Sequence, residues 1–241
     1  MCGIVGYIGQ RKTTEVLLKG LKRLEYRGYD SAGVALFTQK GLEIRKSEGK
    51  LSNVENLLKS SEVQNVIFGI GHTRWATHGK PTTQNAHPHQ AGHVVIVHNG
   101  IIENYQEIKN ELLQQGYNPI SETDSELFGF MVLHEMKQGK SLKEAVSGSF
   151  KRIMGANSVV VASEKESGTL IGVRNGLPLV AGYDPKGKGV ILASDPQPVL
   201  EYTSDVYFLE NGDMVVAKGE TLEFFDFNTL KFLKREPMHL D

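Results

Sequence analysis

Cys2-Gly3-Ile4-Val5-Gly6-Tyr7-Ile8-Gly9 opens the chain directly after Met1. Residues 4–8 form an apolar run closed by glycine and read as a buried strand, which anchors the residue just before it. Cys2 is the only cysteine among 241 residues. Initiator methionine is removed when the next side chain is small, so the mature chain is expected to start at Cys2. That places a thiol and a free α-amine on one residue. The thiolate is the nucleophilic form of cysteine, and an α-amine titrates at about 7.7–8.0, low enough to act as base near neutral pH. A spare cysteine in a loose tail is the alternative. The strand that follows favours an anchored thiol, and activity is expected only once Met1 is gone.

Outward from this strand, residues 14–24 set Val16, Leu17, Leu21 and Leu24 at helical spacing. Residues 31–37 read as a strand, and Ser52 with Glu55 as a capping box opening a short helix. Strands over 66–71 and 94–97 enclose a polar loop of about 20 residues, a length that is usually functional or disordered. Helices follow over 104–115 and 124–137, and a second capping box, Ser141 with Glu144, starts a third. The second half reads as strands over 158–162, 169–174, 179–183, 190–193 and 205–209, separated by Gly and Pro turns. Strands, a helical middle and a meander predict an α+β fold with two sheets packed between helices. The domain is expected to span 1–233, with the polar, Pro237-containing residues 234–241 beginning a linker.

Lys and Arg total 27 against 28 Asp and Glu, and no basic stripe occurs, which argues against nucleic acid as partner. Apolar runs are too short for a membrane span and the N-terminus lacks a secretion signal. A single cysteine excludes an intramolecular disulfide framework and fits a reducing cytoplasm.

Polar residues concentrate in five further segments. In YRGYDSAG (26–33), Gly28 reads as a helix C-cap. HTRWATHG (72–79) leaves a strand. Its Arg74 could grip a carboxylate through two parallel hydrogen bonds or be a surface arginine, and Trp75 sits where a lid would. NAHPH (85–89) ends the same loop. Six of the eight histidines fall in residues 72–98, but this stretch holds no Asp, Glu or Cys and no HExxH spacing, so metal binding is poorly supported. In HNGIIEN (98–104) the Asn99 amide and Gly100 N–H form either an oxyanion-stabilising pair or an Asn-Gly hairpin turn. In SETDSE (121–126), Thr123 and Glu126 read as a capping box. Asp124 is then either a first-turn acid facing the helix dipole or a holder of a substrate ammonium group. Neither GxSxG nor a phosphate-binding glycine loop is present.

In this order, CGIVGYIG, YRGYDSAG, HTRWATHG, NAHPH, HNGIIEN and SETDSE cover the first half of the chain. Together they resemble the glutaminase domains of class II glutamine amidotransferases, and specifically the glutamine–fructose-6-phosphate aminotransferase branch. The resemblance implies an N-terminal-nucleophile hydrolase fold, a four-layer αββα sandwich. It implies attack by Cys2 on the L-glutamine side-chain amide, with Asn99 and Gly100 stabilising the oxyanion. Arg74 would pair with the substrate α-carboxylate and Asp124 with its α-ammonium. Thr77 and His78 would line the site, Trp75 would close over it, and Arg27 would lie near the nucleophile. No metal or organic cofactor is implied. The full enzymes continue into a sugar-phosphate isomerase region that uses the ammonia to make glucosamine 6-phosphate, and they are homo-oligomers. A catalytically silent glutamine-sensing domain is the alternative from another class.

Overall fold

The run after Cys2 becomes β1 (Gly3–Ile8), and every one of its residues is buried. The computed structural model describes residues 2–61, 63–76 and 79–240. In chain order the first half contains α1 (Thr13–Arg23), β2 (Ser31–Thr38), β3 (Gly41–Glu48), α2 (Leu51–Ser61), β4 (Val66–Arg74), β5 (His89–Ala91) and β6 (Val94–Gly100). Then come α3 (Tyr105–Gln114), α4 (Asp124–Lys137), α5 (Leu142–Phe150), β7 (Asn157–Ser163), β8 (Thr169–Asn175), β9 (Val180–Asp184) and β10 (Gly189–Ala193). The remainder is α6 (Pro196–Leu200), β11 (Asp205–Phe208), β12 (Asp213–Lys218), β13 (Thr221–Asp226), β14 (Phe232–Leu233) and β15 (Met238–His239).

Among the described residues the strands form an eight-stranded sheet, β15-β11-β9-β10-β1-β4-β2-β3, and a seven-stranded one, β14-β13-β12-β8-β7-β6-β5. Three apolar cores show how they stack. Val5 and Tyr7 of β1 face Leu17 and Leu21 of α1. Ile4 and Ile8 face the other way, onto Val95, Val97 and Val160 of the second sheet. Val94 and Ile96 of β6 pack on Phe128 and Val132 of α4 and Val146 of α5. The order is therefore helix, sheet, sheet, helix, the four-layer αββα sandwich. Both sheets are covered on both faces, so β1 and β6 read as continuous apolar runs rather than alternating ones. Each fully buried Val, Leu or Ile stabilises by about 1.5–3 kcal/mol relative to exposure, so the inner strands are the least replaceable part of the molecule.

Local signals hold with instructive exceptions. Ser141 and Glu144 form a complete capping box. Thr123 caps α4 by accepting from Glu126 N–H, but the Glu126 carboxylate takes the N–H groups of Ile120 and Ser121 instead of completing the box. Helix α2 already starts at Leu51, which places Ser52 inside it rather than at its cap. Residues 234–240 do not stand clear of the body. Arg235 makes a two-pronged contact with the buried Asp213 carboxylate at 2.7 and 2.9 Å. Beyond it β15 pairs with β11, and Leu240 N–H donates to the Ser204 carbonyl.

Candidate active site

β1 lies between β10 and β4, with Gly3 opposite Thr73, so Cys2 emerges from the sheet interior beside Trp75. Its Sγ accepts from Trp75 N–H at 3.2 Å and lies 3.5 Å from the Trp75 carbonyl. Burial pushes the thiol above its ordinary value. The Trp75 N–H and the Arg74 charge oppose this, and Asp30 adds to the rise. The thiol is therefore protonated near neutral pH, and a base must accept its proton before it attacks.

Arg27 secures this residue from behind. One nitrogen donates to the Cys2 carbonyl at 3.4 Å and to Ser194 Oγ at 3.4 Å; another donates to the Ser194 carbonyl at 3.3 Å and pairs with Asp195. Ser194 Oγ in turn accepts from Ile4 N–H at 3.0 Å. Leu24, not Gly28, is the C-cap of α1; Gly28 caps the separate short helical turn at 25–27. The Trp75 ring rests against it while staying 54 % exposed.

Asn99 and Gly100 do not form a hairpin turn. Strand β6 runs through them, pairing Asn99 with Ser158 and Gly100 with Asn157. Gly100 has φ +136°, and a Cβ there would meet the Ala156 carbonyl and Asn157 Oδ1 at 2.5 Å, so only glycine fits the strand end. Asn99 is 5 % exposed, and its Nδ2 donates to the Cys2 carbonyl at 3.3 Å. Cys2, Asn99, Gly100 and Trp75 line one cavity of about 370 Å³ with Ile101, Glu103, Ala156 and Leu177.

Arg74, Asp124 and Arg27 do not line that cavity. Arg74 is buried at the end of β4 and donates to the Gly79 and Lys80 carbonyls, each at 3.3 Å. Asp124 is buried in the first turn of α4, and its Oδ2 accepts from Ile102 N–H at 2.7 Å. That bond ties α4 to the segment just after Gly100, a role additional to either sequence reading. The fields of Cys2 and Asp124 both act on Arg74, so the groups share one electrostatic neighbourhood. Thr77 and His78 lie outside the described residues.

Two contributors escaped the motif reading. Asp30 Oδ2 accepts from Ala76 N–H at 2.6 Å, and Asp30 N–H donates to the Arg74 carbonyl at 2.7 Å, which holds the chain on both sides of Trp75. His72 Nε2 lies 2.9 Å from Asn99 Oδ1. The strand period held the signal for His72, because Phe68, Ile70 and His72 share a face, but the strand was read as ending at 71. His72 and His87 stack at 4.2 Å between ring centroids, and His87 meets His89 at 4.5 Å. Among the described residues, no three His, Cys, Asp or Glu side chains converge as a metal ion would require.

Residues 72–201 match a family model described as a glutamine amidotransferase domain. The chain is 46 % identical over 244 residues to a glutamine–fructose-6-phosphate aminotransferase [isomerizing] of Thermus thermophilus, covering 100 % of this chain and 39 % of that one. It is 44 % identical over 229 residues to the protein of the same name from Escherichia coli, covering 94 % and 37 %. The chain thus spans under two-fifths of the length of these curated relatives. Among solved structures it is similar to a glutamine phosphoribosylpyrophosphate amidotransferase from B. subtilis, with TM-score 0.78 and 23 % identity over 95 % of this chain and 50 % of that one. At that identity the likeness concerns the fold.

Proposed function

The chain belongs to the glutamine amidotransferase domain family, and on that premise we propose that it hydrolyses L-glutamine to L-glutamate and ammonia through a thioester on Cys2. One observation carries the reading: a half-buried thiol and the Asn99-Gly100 pair face the same cavity.

With Met1 removed, the α-amine of Cys2 takes the thiol proton and Sγ attacks the carbon of the glutamine side-chain amide. The negative charge that develops on the amide oxygen is met by Asn99 Nδ2–H and Gly100 N–H, donors already held in place. Such preorganised donors are worth about 10²–10³ in rate each. The proton held by the amine passes to the departing nitrogen, the C–N bond breaks and ammonia leaves. Water then adds to the thioester, C–S breaks, and glutamate and the thiol are regenerated. In this reading Arg74 turns from the Gly79 and Lys80 carbonyls to the substrate α-carboxylate, and Asp124 pairs with the α-ammonium. Thr77 and His78 line the substrate site, Trp75 covers the bound substrate, and Arg27 keeps Cys2 in place.

The names of the relatives extend the proposal. In a whole protein of their length, an isomerase region would use the ammonia to convert fructose 6-phosphate to glucosamine 6-phosphate. A homo-oligomeric whole enzyme and a cytoplasmic site of action belong to the same reading. Among the described residues no helix is long and apolar enough to cross a membrane.

Intact mass measured alongside glutamate release tests the core of this. The expected active species lacks Met1 and gains one adduct, at Cys2, from a glutamine-like diazoketone, with loss of activity. Labelling elsewhere, or full activity with Met1 retained, rejects the mechanism.

A further inference from the structure

We infer that His72 is a positioning residue for this reaction: its ring N–H fixes the Asn99 amide so that the NH₂ group, and not the oxygen, is presented to the developing oxyanion. This rests on the glutamine-hydrolysis reading above. The geometry starts from strand parity. Phe68 and Ile70 of β4 lie in the core between the sheets, as do Val95 and Val97 of β6. Two residues further on, His72 and Asn99 continue those faces and meet across the gap.

His72 Nε2 lies 3.1 Å from the His98 carbonyl oxygen and 2.9 Å from Asn99 Oδ1. A backbone carbonyl only accepts, so Nε2 must carry the proton. The other nitrogen, Nδ1, is buried without a partner, so moving the proton there would lose both bonds and gain none. The tautomer is locked from both sides. An N–H at Nε2 can meet Asn99 only through its oxygen, because a flipped amide would set donor against donor. Nδ2 therefore points away, and one of its hydrogens goes to the Cys2 carbonyl at 3.3 Å. Without His72, only the 3.3 Å bond to the Cys2 carbonyl opposes a turn that would aim the amide oxygen at the oxyanion and repel it.

The surroundings bury this ring completely. His87 packs against it with the rings tilted by 32°, and neither His87 nitrogen makes a hydrogen bond, so His87 does not hold the His72 N–H. Lys46 Nζ donates to the carbonyls of Ala86 at 2.9 Å and Pro88 at 3.5 Å, clamping the residues on either side of His87. Gly33 stands opposite His72 in β2, and a Cβ there would lie 2.3 Å from the His87 carbonyl, so the bare Cα admits this segment. Burial holds the His72 ring neutral, at about 3.

The test compares His72→Phe, which keeps a ring but no donor, with His72→Gln, whose Nε2 sits the same number of bonds from the backbone. We expect H72F to lower kcat for glutamate release about 10–10²-fold, a share of what loss of an oxyanion donor costs, with KM within about twofold. H72Q should recover most of the rate. Alkylation of Cys2 by iodoacetamide displaces iodide at a saturated carbon and forms no oxyanion, so its rate should be the same in wild type and H72F. Unchanged kcat in H72F, an H72Q as slow as H72F, or a parallel fall in alkylation each overturns the role. A wild type that keeps its glutaminase activity after Cys2 is fully alkylated would instead sink the underlying reading. Should H72F not fold, ring ¹⁵N shifts of the wild-type protein give the answer: His72 protonated at Nε2 supports the assignment, and protonation at Nδ1 refutes it.

Discussion

Lowering the pH should unfold this protein well before its carboxylates protonate. His72, His87 and His89 are at most 3 % exposed. Burial, the dominant cause in each, lowers the first to about 3 and the other two well below their ordinary 6.5. His98 shifts in the same direction, again chiefly through burial. Below pH 6.5 the unfolded chain takes up protons at these rings and the folded chain does not. Stability is therefore complete above that pH and drains away as pH falls. Each ring that stays neutral contributes about 1.4 kcal/mol per pH unit to the slope, and about 2 kcal/mol in total by pH 5. Three rings reach about 6 kcal/mol at pH 5, comparable with the about 5–15 kcal/mol of a whole domain. Urea midpoints should be measured by far-ultraviolet circular dichroism between pH 8 and 5, because the only tryptophan, Trp75, is already half exposed. His87→Phe should flatten the slope by about one proton and gain about 2 kcal/mol over wild type at pH 5, since the ring gives up no hydrogen bond. A flat stability profile down to pH 4.5, or an H87F slope equal to wild type, would refute the buried neutral histidines.

Gly100→Ala must accommodate a Cβ at φ +136° beside the Ala156 carbonyl. Backbone strain of about 1–3 kcal/mol plus overpacking should lower Tm by roughly 10 °C, and glutamate release should fall about 10²-fold; wild-type values in thermal denaturation and turnover would contradict the strand-end geometry. Arg74→Lys should raise KM for glutamine at least tenfold while changing kcat less, because a single ammonium cannot reproduce a planar two-pronged grip; steady-state kinetics decide it. Arg235→Ala leaves the buried Asp213 carboxylate with the Glu210 N–H but without its cation. About 1–3 kcal/mol of stability should be lost, with faster tryptic cleavage near Lys234, and an unchanged digest would show that the segment is not pinned there.

The layer order was legible in the sequence because apolar runs separated by turns report burial directly, and Asp124–Lys137 was read to the residue. The strand ends were not legible. His72, Arg74, Asn99 and Gly100 are polar or glycine, so a reading based on apolar residues stopped β4 and β6 short of them, although both ladders continue. The short strands β5, β14 and β15 escaped because two or three residues cannot establish a period, and the longer β3, β12 and β13, with charged residues among their apolar ones, were missed as well. Cys2, Asn99 and Gly100, which line one cavity, were singled out in sequence by a lone cysteine and an Asn-Gly pair at a strand end. His72 was passed over because histidines clustered in sequence raise the question of a metal, whereas in the folded chain His72, His87 and His89 pack ring against ring. Asp30 lies in the quoted segment 26–33 but was given no role, since its partners are backbone groups 44 and 46 residues away.

The position of β1 has a practical consequence for handling the protein. Because β10 and β4 flank this strand, residue 2 is delivered into the cavity from inside the sheet and has no slack. A purification tag fused ahead of it would start at the cavity that Cys2 lines with Asn99 and Gly100. β15 lies four strands away in the same sheet, roughly 19 Å at strand spacing, and a tag carried on that side would leave the cavity clear. Where the label is placed therefore decides whether the purified protein can work.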